Sequence, residues 1–576
     1  MKSSSSIPYD ILKKIEEWKN PPYDISCKKQ IEELQEDDPQ KLIDAFYTNL
    51  TFGTAGLRGL MGIGTNRMNT YVVALATEGL ARALKKAFPQ ESLKVAITYD
   101  SRHHSKEFAF TAAKVLAGHL ITVYITKDLR PTPFLSFTCR HKKCHAGVMI
   151  TASHNPPEFN GYKVFWSDGA QVVSPQDQLI LDEINKIPSI KSVKYAHETS
   201  PYIHYLTPDD DYAYIKTLTE LATDPELNHK KGEALHIIYT SLHGTGATLL
   251  PMAFKGFGFT HFEPVRKQEN PDPNFTYAKN PNPEAKEALE LGLELLSNLK
   301  ADILLATDPD ADRVGCAISH QKHLVILSGN EIASICLYHL LDTYKKQKRL
   351  SKQHVVVSTI VTTRLLKKMC QAYSVGYLDT LTGFKYIGEK IKQLEESTEE
   401  KEFLFGAEES YGFLYGTYAR DKDGIMISCL LCEIALKLKC EGKTLLDLLF
   451  EIYRKFGVYQ EKQLSIHLPS GQDSQQLIEK VMHHLRAHPP TMLGNLKVEQ
   501  IDDYLKAVSL PKSNVLGLTF EDGSTFIIRP SGTEPKIKIY GMMYKPASKE
   551  IQKTIDLCQQ ELNDRLELIK KEFLNL

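Results

Sequence analysis

Three aspartates at alternate positions form the densest chemical signal in the chain. Asp308, Asp310 and Asp312 follow a short apolar run in the sequence. Carboxylate oxygens at this spacing can converge on a hard cation, and Mg²⁺ prefers octahedral oxygen ligands at about 2.1 Å. An EF-hand is excluded, because Arg313 and Ser319 stand where that loop needs Gly and Glu. We predict a divalent-cation loop here; a solvated acidic loop is the alternative, disfavoured by repulsion among three carboxylates.

A serine occupies a second loop, Thr151-Ala-Ser-His-Asn-Pro156, again after an apolar run. Ser153 could act as a nucleophile or carry a phosphoryl group. A hydrolase triad is weakly supported, because no G-x-S-x-G elbow surrounds the serine and His154 is only its neighbour in sequence. Lys163 could return to the same loop as a base or charge partner, and a surface lysine is the alternative.

A third loop, Arg529-Pro-Ser-Gly-Thr533, combines a cation with hydroxyl groups. Arg offers a bidentate fork to phosphate, and Gly532 lets backbone N–H groups approach an anion. Ser531 and Thr533 supply the hydroxyls. We predict a phosphate-binding loop, with a plain turn as the alternative.

A fourth segment, Gly406-Ala-Glu-Glu-Ser-Tyr-Gly412, places carboxylates beside a serine. Glu408 and Ser410 are suitable partners for neighbouring sugar hydroxyls. The segment Arg420-Asp-Lys-Asp-Gly424 follows and contains Lys422. A turn-rich surface loop is an equally good interpretation of the spacing alone.

Short apolar runs that end in Thr or Ser precede most of these loops. Runs of this kind, rich in β-branched residues, are typical of parallel strands covered on both faces. Helical patterns such as Thr70–Phe88 and Pro283–Leu299 lie between them, which predicts an α/β fold. Ligands bind beyond the carboxyl ends of such strands. The predicted strands are Val95–Thr98, Val148–Thr151, Ile237–Thr240, Leu304–Thr307 and Val355–Ser358.

The C-terminal part of the sequence has a different pattern. Two strand-like runs, Val515–Phe520 and Thr525–Ile528, flank Asp522-Gly523, a favourable hairpin turn. A third run, Lys536–Tyr540, and a charged amphipathic helix from about Ser548 follow. This predicts a smaller α+β domain beginning near Gly457. With three α/β domains before it, the predicted domains are 1–205, 206–325, 326–455 and 456–576.

Composition and charge limit the function classes. The chain has 576 residues, 42% of them hydrophobic, which fits several buried cores. Lys plus Arg total 70 and Asp plus Glu total 71, so the net charge of −1 predicts no nucleic-acid partner and no anionic-membrane surface. No apolar run reaches the ~18 residues of a membrane span.

Cysteines and the N-terminus point to a reducing compartment. Ten cysteines are too sparse for a disulfide framework, and the first residues lack the apolar region of a secretory signal. We therefore expect a cytoplasmic protein. Cys429 and Cys432 form a lone C-x-x-C inside a helical apolar pattern, Ile425–Leu438, and we interpret them as core residues rather than metal or redox ligands.

Taken together, these loops resemble those of the α-D-phosphohexomutase superfamily. The serine loop is similar to its phosphoserine loop, the aspartate loop to its metal loop, the Glu-Glu-Ser segment to its sugar loop and the Arg529 loop to its phosphate loop. Phe52-Gly-Thr-Ala-Gly-Leu-Arg58 matches a further motif, and all five occur in the family's order over residues 52–540. The resemblance implies three similar α/β domains and a C-terminal α+β domain around a central cleft.

The same resemblance implies an activity and a set of site residues. Phosphate would be exchanged between C1 and C6 of a hexose, with glucose 1,6-bisphosphate as intermediate and activator and Mg²⁺ as cofactor. The Glu-Glu-Ser form is most similar to the phosphoglucomutase branch; phosphomannomutase and phosphopentomutase activities are the alternatives. Sugar phosphates would be the partners, and the chain a monomer or small homo-oligomer. The implied residues are Ser153, Lys163, Arg58, His154 and Arg313 for catalysis; Thr382, Gly383, Glu408, Ser410, Lys422, Arg529, Ser531, Gly532 and Thr533 for substrate; and Ser153, Asp308, Asp310 and Asp312 for the metal.

Two functions of other classes are also compatible with parts of the pattern. A phosphotransferase with an aspartyl nucleophile would carry Thr or Val where Asp312 stands, so the third aspartate argues against it. A sugar-phosphate sensor without catalysis would not need every loop intact, as they are here. Phosphate on Ser153 distinguishes the first alternative, and turnover distinguishes the second.

Overall fold

A computed structural model describes residues 7–51, 56–467, 473–506, 510–530 and 536–574. The chain divides into two compact units. The first unit contains Met1–Ile326 and Gly412–Glu433, and the second contains Leu327–Tyr411 and Ile434–Leu576. Arg58, Ser153, His154, Lys163, the three aspartates, Arg313 and Lys422 fall in the first unit, whereas Glu408 and Arg529 fall in the second.

Three N-terminal helices precede the first sheet and carry their own apolar cluster. Trp18, Leu42 and Phe46 are buried there, and Leu34 is partly buried and packs against them. Asp38 begins the third helix by accepting a hydrogen bond from the Lys41 backbone N–H, a usual N-cap. The helices are α1 (Tyr9–Trp18), α2 (Ile25–Asp37) and α3 (Pro39–Phe46).

The first sheet has six strands in the order β1-β5-β4-β2-β3-β6. Strands β4, β2, β3 and the edge strand β6 pair in parallel, as expected, but β5 pairs antiparallel with both β4 and β1. The elements are β1 (Leu57–Leu60), α4 (Thr70–Ala87), β2 (Lys94–Tyr99), α5 (Ser105–Gly118), β3 (Thr122–Ile125), α6 (Thr132–His141), β4 (Ala146–Ile150), β5 (Phe159–Trp166), α7 (Gln176–Asn185), a 3₁₀ turn (Ile190–Ser192) and β6 (Ile203–Tyr205).

The second sheet has five strands in the order β11-β10-β9-β7-β8. β7 pairs in parallel with β8 and β9, whereas β10 runs antiparallel to β9. Every residue of β9 is buried, so its carboxyl end is a fixed point for the loop that follows. The elements are α8 (Pro208–Thr219), α9 (Pro225–Lys231), a 3₁₀ turn (Gly232–Ala234), β7 (Ile237–Thr240), α10 (Gly246–Phe257), β8 (Phe262–Pro264), α11 (Arg266–Glu269), α12 (Lys286–Asn298), β9 (Ile303–Thr307), β10 (Val314–His320) and β11 (His323–Leu327).

The next region contains three parallel strands of the second unit. β12 lies between β13 and β14 and is parallel to both. Ser328 and Glu331 form a capping box at the start of the first helix of this region. The elements are α13 (Gly329–Lys346), β12 (His354–Thr359), α14 (Leu365–Tyr373), β13 (Gly376–Thr380), α15 (Phe384–Glu396), β14 (Glu402–Glu408), β15 (Gly412–Tyr415), α16 (Gly424–Cys440) and α17 (Leu445–Phe456).

The C-terminal sheet has six strands in the order β16-β21-β20-β19-β18-β17, with antiparallel neighbours. The predicted hairpin is confirmed, and Gly523 has the positive φ of +78° that its turn requires. The predicted terminal helix is also confirmed. The elements are β16 (Val458–His467), α18 (Asp473–Ala487), β17 (Met492–Leu493), β18 (Leu496–Asp503), β19 (Leu516–Phe520), β20 (Thr525–Pro530), β21 (Lys536–Lys545) and α19 (Ile551–Leu574).

Two further expectations concern helices. Cys429 and Cys432 lie in α16 and are fully buried free thiols, which confirms their role in the core. Among the helices that the structure describes, none is both long and apolar enough to cross a bilayer.

Candidate active site

The Ser153 loop leaves a buried strand under tight local control. All of β4 is buried, and the Ser153 backbone N–H donates to the Thr151 hydroxyl at 2.8 Å. Ser153 itself is 3% exposed and has a positive φ of 51°. A non-glycine residue in this region is held there by its surroundings at a cost of ~1–3 kcal/mol, and such residues cluster at functional sites.

A single buried guanidinium determines the shape of this loop. Arg102 donates to the carbonyls of Pro156 at 2.7 Å and Phe159 at 3.0 Å, and also to those of Ser153 and Asn155. Its Nε lies 3.2 Å from Asp100 Oδ2. The flat guanidinium can reach four carbonyls at once because its donors form a rigid fork.

Asp100 and Phe275 complete the support of Arg102. Asp100 also accepts hydrogen bonds from Thr151 at 2.6 Å and Ser105 at 2.7 Å, which links the guanidinium to the base of the serine loop. The Phe275 ring lies 4.9 Å from the guanidinium carbon, a cation–π contact. Residues from two separate segments of the first unit therefore support one loop.

The three aspartates converge as predicted. Asp308, Asp310 and Asp312 are at most 2% exposed, and each can offer one oxygen within 4.8 Å of the others. Asp308 follows β9 directly, and Thr132 donates to Asp310 at 2.8 Å. Burial, together with the charges of Asp310 and Asp312, raises the pKa of Asp308 well above its usual value.

Two lysines neutralise part of this charge. Lys163 Nζ lies 2.6 Å from Asp310 Oδ2 and 3.5 Å from Asp312 Oδ2, and Lys422 Nζ lies 3.1 Å from Asp312 Oδ2. Burial opposes the charged form of Lys163, but Asp310 and Asp312 outweigh it and raise the pKa of its ammonium group. Gly412 packs directly on Lys422, since a Cβ there would come within 2.1 Å of the lysine Cδ.

The serine hydroxyl joins this carboxylate cluster. Ser153 Oγ donates to Asp308 Oδ2 at 2.7 Å, across 155 residues of sequence. His154 Nδ1 lies 3.3 Å from the same hydroxyl. Burial and the positive charges of Arg313 and Arg58 hold the pKa of His154 well below its usual value, so the imidazole is neutral.

Two arginines lie at the edge of the cluster. Arg58, in β1, donates to the Asn155 side chain at 3.2 Å. Arg313 donates from its backbone to Asp308 Oδ1 at 3.1 Å, and its guanidinium pairs with Glu284 at 2.7 Å. The structure thus brings together, in the first unit, all of the predicted catalytic and metal residues and Lys422.

The donor set fits a magnesium ion. The Oδ2 atoms of Asp310 and Asp312 each form an ion pair with a lysine. Their Oδ1 atoms are buried and accept no hydrogen bond from any described residue. Buried carboxylate oxygens left in this way are costly unless a cation or donor satisfies them. Hard oxygen ligands in a compact group are the set that Mg²⁺ prefers.

The second unit contains the predicted substrate residues that lie beyond residue 326, apart from Lys422. Glu408 is 5% exposed and accepts a hydrogen bond from the Gly383 N–H at 2.8 Å, so Thr382 and Gly383 lie beside it. Ser410 is partly buried. Gly383 has a φ of +120°, a conformation that favours glycine.

Arg529, at the end of β20, belongs to the same unit. Its charge and those of Glu408 and Glu409 act on the Tyr540 hydroxyl, whose pKa is raised chiefly by burial. Arg529 therefore lies near the Glu-Glu-Ser segment. Ser531, Gly532 and Thr533 lie outside the described residues, as do Phe52–Ala55 of the N-terminal motif.

Three interpretations of single segments were wrong. Lys163 is not a surface lysine, since it is 6% exposed. Residues 406–408 are strand rather than surface loop, because they continue β14 beside β12. Residues 420–424 are buried rather than exposed, because their polar groups find internal partners; Asp421 accepts from Gln171 at 2.6 Å, and Asp423 accepts from Tyr214 at 2.5 Å.

Sequence reasoning missed Arg102 and Thr132. Arg102 could have been found by its position, because Asp100-Ser-Arg102 follows β2 at the same edge of the sheet as the serine loop. Thr132 begins α6 and gives no comparable signal in the sequence.

Four family models match the chain in order. Residues 49–191, 212–321 and 328–456 match phosphoglucomutase/phosphomannomutase α/β/α domains I, II and III, and residues 492–541 match the C-terminal domain of the same family. This confirms the four-domain α/β architecture.

Similar proteins of known name point to the same family. A phosphoglucomutase from Staphylococcus aureus strain MSSA476 is 37% identical over 539 residues, covering 89% of this chain and 93% of that protein. The phosphoglucomutase of strain MRSA252 is 36% identical over 555 residues, covering 92% of this chain and 96% of that protein.

A solved structure has the same fold at lower identity. The Paramecium phosphoprotein pp63/parafusin, a phosphoglucomutase in an open form, superposes with a TM-score of 0.66 at 18% identity over 91% of this chain and 96% of that one. The order of the four domain matches and the identity over most of the length agree with the loops described above. The chain therefore belongs to the phosphoglucomutase/phosphomannomutase family of the α-D-phosphohexomutase superfamily and is an enzyme of the phosphohexomutase type.

Proposed function

We propose that this enzyme is a phosphoglucomutase that interconverts α-D-glucose 1-phosphate and glucose 6-phosphate. The observation that carries the chemistry is the 2.7 Å hydrogen bond from Ser153 Oγ to Asp308, which puts a hydroxyl on a buried carboxylate cluster. The 36–37% identity to phosphoglucomutases of Staphylococcus aureus favours glucose as the sugar.

In this proposal Ser153 carries the phosphoryl group that is exchanged. In the first half-reaction the P–Oγ bond breaks and a bond from phosphorus to the sugar O6 forms. The proton of the sugar hydroxyl passes to a base, and Oγ regains a proton. The product, glucose 1,6-bisphosphate, turns end over end, and its 1-phosphate returns to Ser153 by the reverse chemistry. Free bisphosphate would act as an activator by phosphorylating Ser153 in the same way.

The carboxylates and lysines would control charge during transfer. Asp308, Asp310, Asp312 and an oxygen of the Ser153 phosphoryl group would hold Mg²⁺, which when bound neutralises charge on the group in flight. Lys163 and Lys422 add fixed positive charge beside the aspartates at 2.6 Å and 3.1 Å. Arg58 and Arg313 would face the transferring group from the edge of the cluster.

The acid and base are proposed in an order of preference. Lys163 is the first candidate, Lys422 the second and His154 the third. The pKa of the Lys163 side chain is raised, so this side chain is protonated at rest. It can therefore donate a proton to Oγ first and accept one afterwards. The imidazole of His154, 3.3 Å from Oγ, is neutral and can accept a proton, but its lowered pKa makes it a weak base, which agrees with its third place.

Binding of the sugar phosphate is assigned to the second unit. Glu408 and Ser410, with Thr382 and Gly383, would bind ring hydroxyls, and the hydrogen bond that ties Gly383 to Glu408 supports this grouping. The phosphate that is not transferred would bind Arg529, Ser531, Gly532 and Thr533. The domain limits 1–205, 206–325, 326–455 and 456–576 are part of the same proposal.

A panel of sugar 1-phosphates tests the proposal. Purified enzyme with Mg²⁺ and a trace of glucose 1,6-bisphosphate is assayed with the 1-phosphates of glucose, mannose, ribose and N-acetylglucosamine. The proposal expects the highest kcat/KM for glucose 1-phosphate. A higher value for mannose or ribose 1-phosphate would move the assignment to phosphomannomutase or phosphopentomutase, and no turnover of any sugar would favour a sensor.

Two further points of the proposal concern the state of the protein. The free cysteines fit a cytoplasmic enzyme. We propose a monomer or small homo-oligomer, which light scattering measures directly.

A further inference from the structure

A group of metal-ligating side chains lies at the edge of the second sheet and has no part in the proposed reaction. In the parallel pair of β7 and β8, Ile237 faces Phe262, and the Ile237 N–H donates to the His261 carbonyl at 3.0 Å. His236 therefore stands opposite His261. Glu263 follows two residues after His261, so the two point to the same face of the strand.

The three side chains are already in contact. His236 Nε2 lies 3.2 Å from Glu263 Oε1, and the rings of His236 and His261 stack with centroids 3.9 Å apart. One ligand atom from each residue lies within 4.8 Å of the others. Asp302 fixes the His236 backbone by accepting its N–H at 2.8 Å.

The position leaves this group open to solvent. β8 is the edge strand of the sheet, and His261 and Glu263 are exposed. The ring of His261 can therefore turn about its own side-chain bonds. Such a turn is needed, because two stacked rings must tilt before both nitrogens can lie about 2.0–2.1 Å from one metal ion.

The ligand chemistry selects the kind of ion. Two imidazoles and one carboxylate are a set used for Zn²⁺, with water in the fourth position, and imidazole also suits Cu²⁺ and Ni²⁺. Mg²⁺ prefers oxygen ligands and would go to the aspartates instead. We propose that His236, His261 and Glu263 form a binding site for Zn²⁺ on the surface of the second sheet.

This site is separate from the aspartate cluster. His236 precedes β7 and lies beside Asp302 at the amino end of β9, whereas Asp308 follows the carboxyl end of β9. Asp302 and Asp308 are six positions apart along the extended strand, or roughly 20 Å. An ion bound here would join β8 to β7 and stabilise the sheet edge without touching Ser153.

A simple ion pair is the competing explanation. Protonated His236 could pair with Glu263 at 3.2 Å without any metal. The two explanations differ in their dependence on His261, which the ion pair does not need and the metal site does.

Titration of the full-length protein with Zn²⁺ alone tests the proposal. Excess Mg²⁺ is present to fill the aspartate cluster, and binding is measured by calorimetry; Co²⁺ absorption in the visible range reports tetrahedral ligation independently. One Zn²⁺ is expected per chain, and His261→Ala, His236→Ala and Glu263→Gln should each weaken it at least about tenfold.

His488→Ala is the matched control. His484, near the end of α18, and His488, just after that helix, are an exposed pair with ring centroids 5.0 Å apart, and they offer two other imidazoles to Zn²⁺. Loss of Zn²⁺ binding in His488→Ala, unchanged affinity in His261→Ala, or no Zn²⁺ binding in excess Mg²⁺ would each overturn the proposal. Since His261 is exposed, a circular dichroism spectrum equal to that of the wild type is expected for its variant.

Discussion

The two units hold their candidate residues in different ways. In the first unit Ser153, Lys163 and the three aspartates are 6% exposed or less and are joined by ion pairs and hydrogen bonds. In the second unit Glu408 is buried, but Thr382, Gly383, Ser410 and Arg529 are only partly buried.

This difference corresponds to two tasks in the proposed reaction, phosphoryl transfer and substrate binding. Charge that develops during phosphoryl transfer is best stabilised by groups fixed in advance, because reorganising them would cost energy at the moment of reaction. Residues that bind a substrate which must enter, turn and leave need access instead. We therefore expect substitutions in the first unit to reduce kcat, and those in the second to change kcat/KM in a way that depends on the sugar.

Ser153→Ala should have the largest effect. Because the variant lacks the hydroxyl that we propose carries the phosphoryl group, turnover should fall by more than about 1,000-fold, or ~4 kcal/mol of barrier. Steady-state assays measure the loss, and intact mass spectrometry should show that the wild type accepts phosphate from glucose 1,6-bisphosphate while the variant does not. Near-normal turnover of the variant would show that Ser153 has no part in the mechanism. The unfolding temperature of the variant serves as the control for folding.

Arg102→Lys should come next, although the residue touches no substrate in the proposal. Lysine keeps the charge but cannot donate to four carbonyls, so the serine loop shifts and kcat should fall about 100-fold with a smaller change in KM. Arg67→Lys is the matched control, because Arg67 is also a buried arginine, at 7% exposure, paired with Asp44.

Equal losses of kcat in the Arg102 and Arg67 variants would mean that Arg102 contributes only to stability. Mass spectrometry should detect phosphorylation of Ser153 by glucose 1,6-bisphosphate in Arg67→Lys but not in Arg102→Lys. If neither variant is phosphorylated, Arg102 would again have no role beyond stability.

Glu408→Ala should produce a smaller effect that depends on the sugar. Glucose and mannose 1-phosphates should lose about 10- to 200-fold in kcat/KM, because both present shared hydroxyls to the carboxylate. Ribose 1-phosphate should lose less, since its five-membered ring places its hydroxyls differently. Glu402→Ala, an exposed change at the start of the same strand, is the control. A uniform loss for all three sugars would argue that Glu408 acts on the fold and not on the ring.

Glu461→Gln should have the smallest effect, and on stability alone. Burial, with a contribution from Glu331, raises the pKa of Glu461 from its usual 4.5 to about 8. The folded chain therefore binds more protons than the unfolded chain between these two values, and stability from this group falls as pH rises from 4.5 to 8. Tyr453 faces the same pair of acids.

Glutamine cannot ionise, so the variant should gain ~1–3 kcal/mol over the wild type at pH values above that window and nothing below it. Urea unfolding across this range measures the difference, with the exposed Glu499→Gln as control. An advantage that does not grow with pH would show that Glu461 ionises freely in the folded enzyme.

The fold could be predicted from the sequence wherever the local hydrophobic pattern agrees with the burial of the residues in the structure. The runs at residues 95–98, 237–240 and 304–307 are short and mostly apolar, and each forms a buried strand. The Ser153 loop and the aspartate loop could each be anticipated as places for chemistry, because ligands bind beyond the carboxyl ends of parallel strands. The two loops follow strands of different sheets, so their grouping was predicted only by the family resemblance.

The burial of several polar residues could not be predicted, because it depends on partners that lie far away in the sequence. Lys163 is buried because Asp310 lies beside it, 147 residues later, and Asp421 because Gln171 donates to it across 250 residues. A window of sequence shows only polar residues at these positions and so indicates a surface. The catalytic and binding roles of single residues, and the domain limits, stay predictions until the variants above are measured.

The long separation between Ser153 and Asp308 also has a consequence for biosynthesis. The serine loop is translated early, but the carboxylate that accepts its hydroxyl is added 155 residues later. Arg102 can shape the loop from within the first sheet, whereas Phe275, which supports that arginine, also belongs to the later segment. A nascent chain on the ribosome therefore carries Ser153 before the three aspartates exist, and the candidate site is complete only when more than half of the polypeptide has been made.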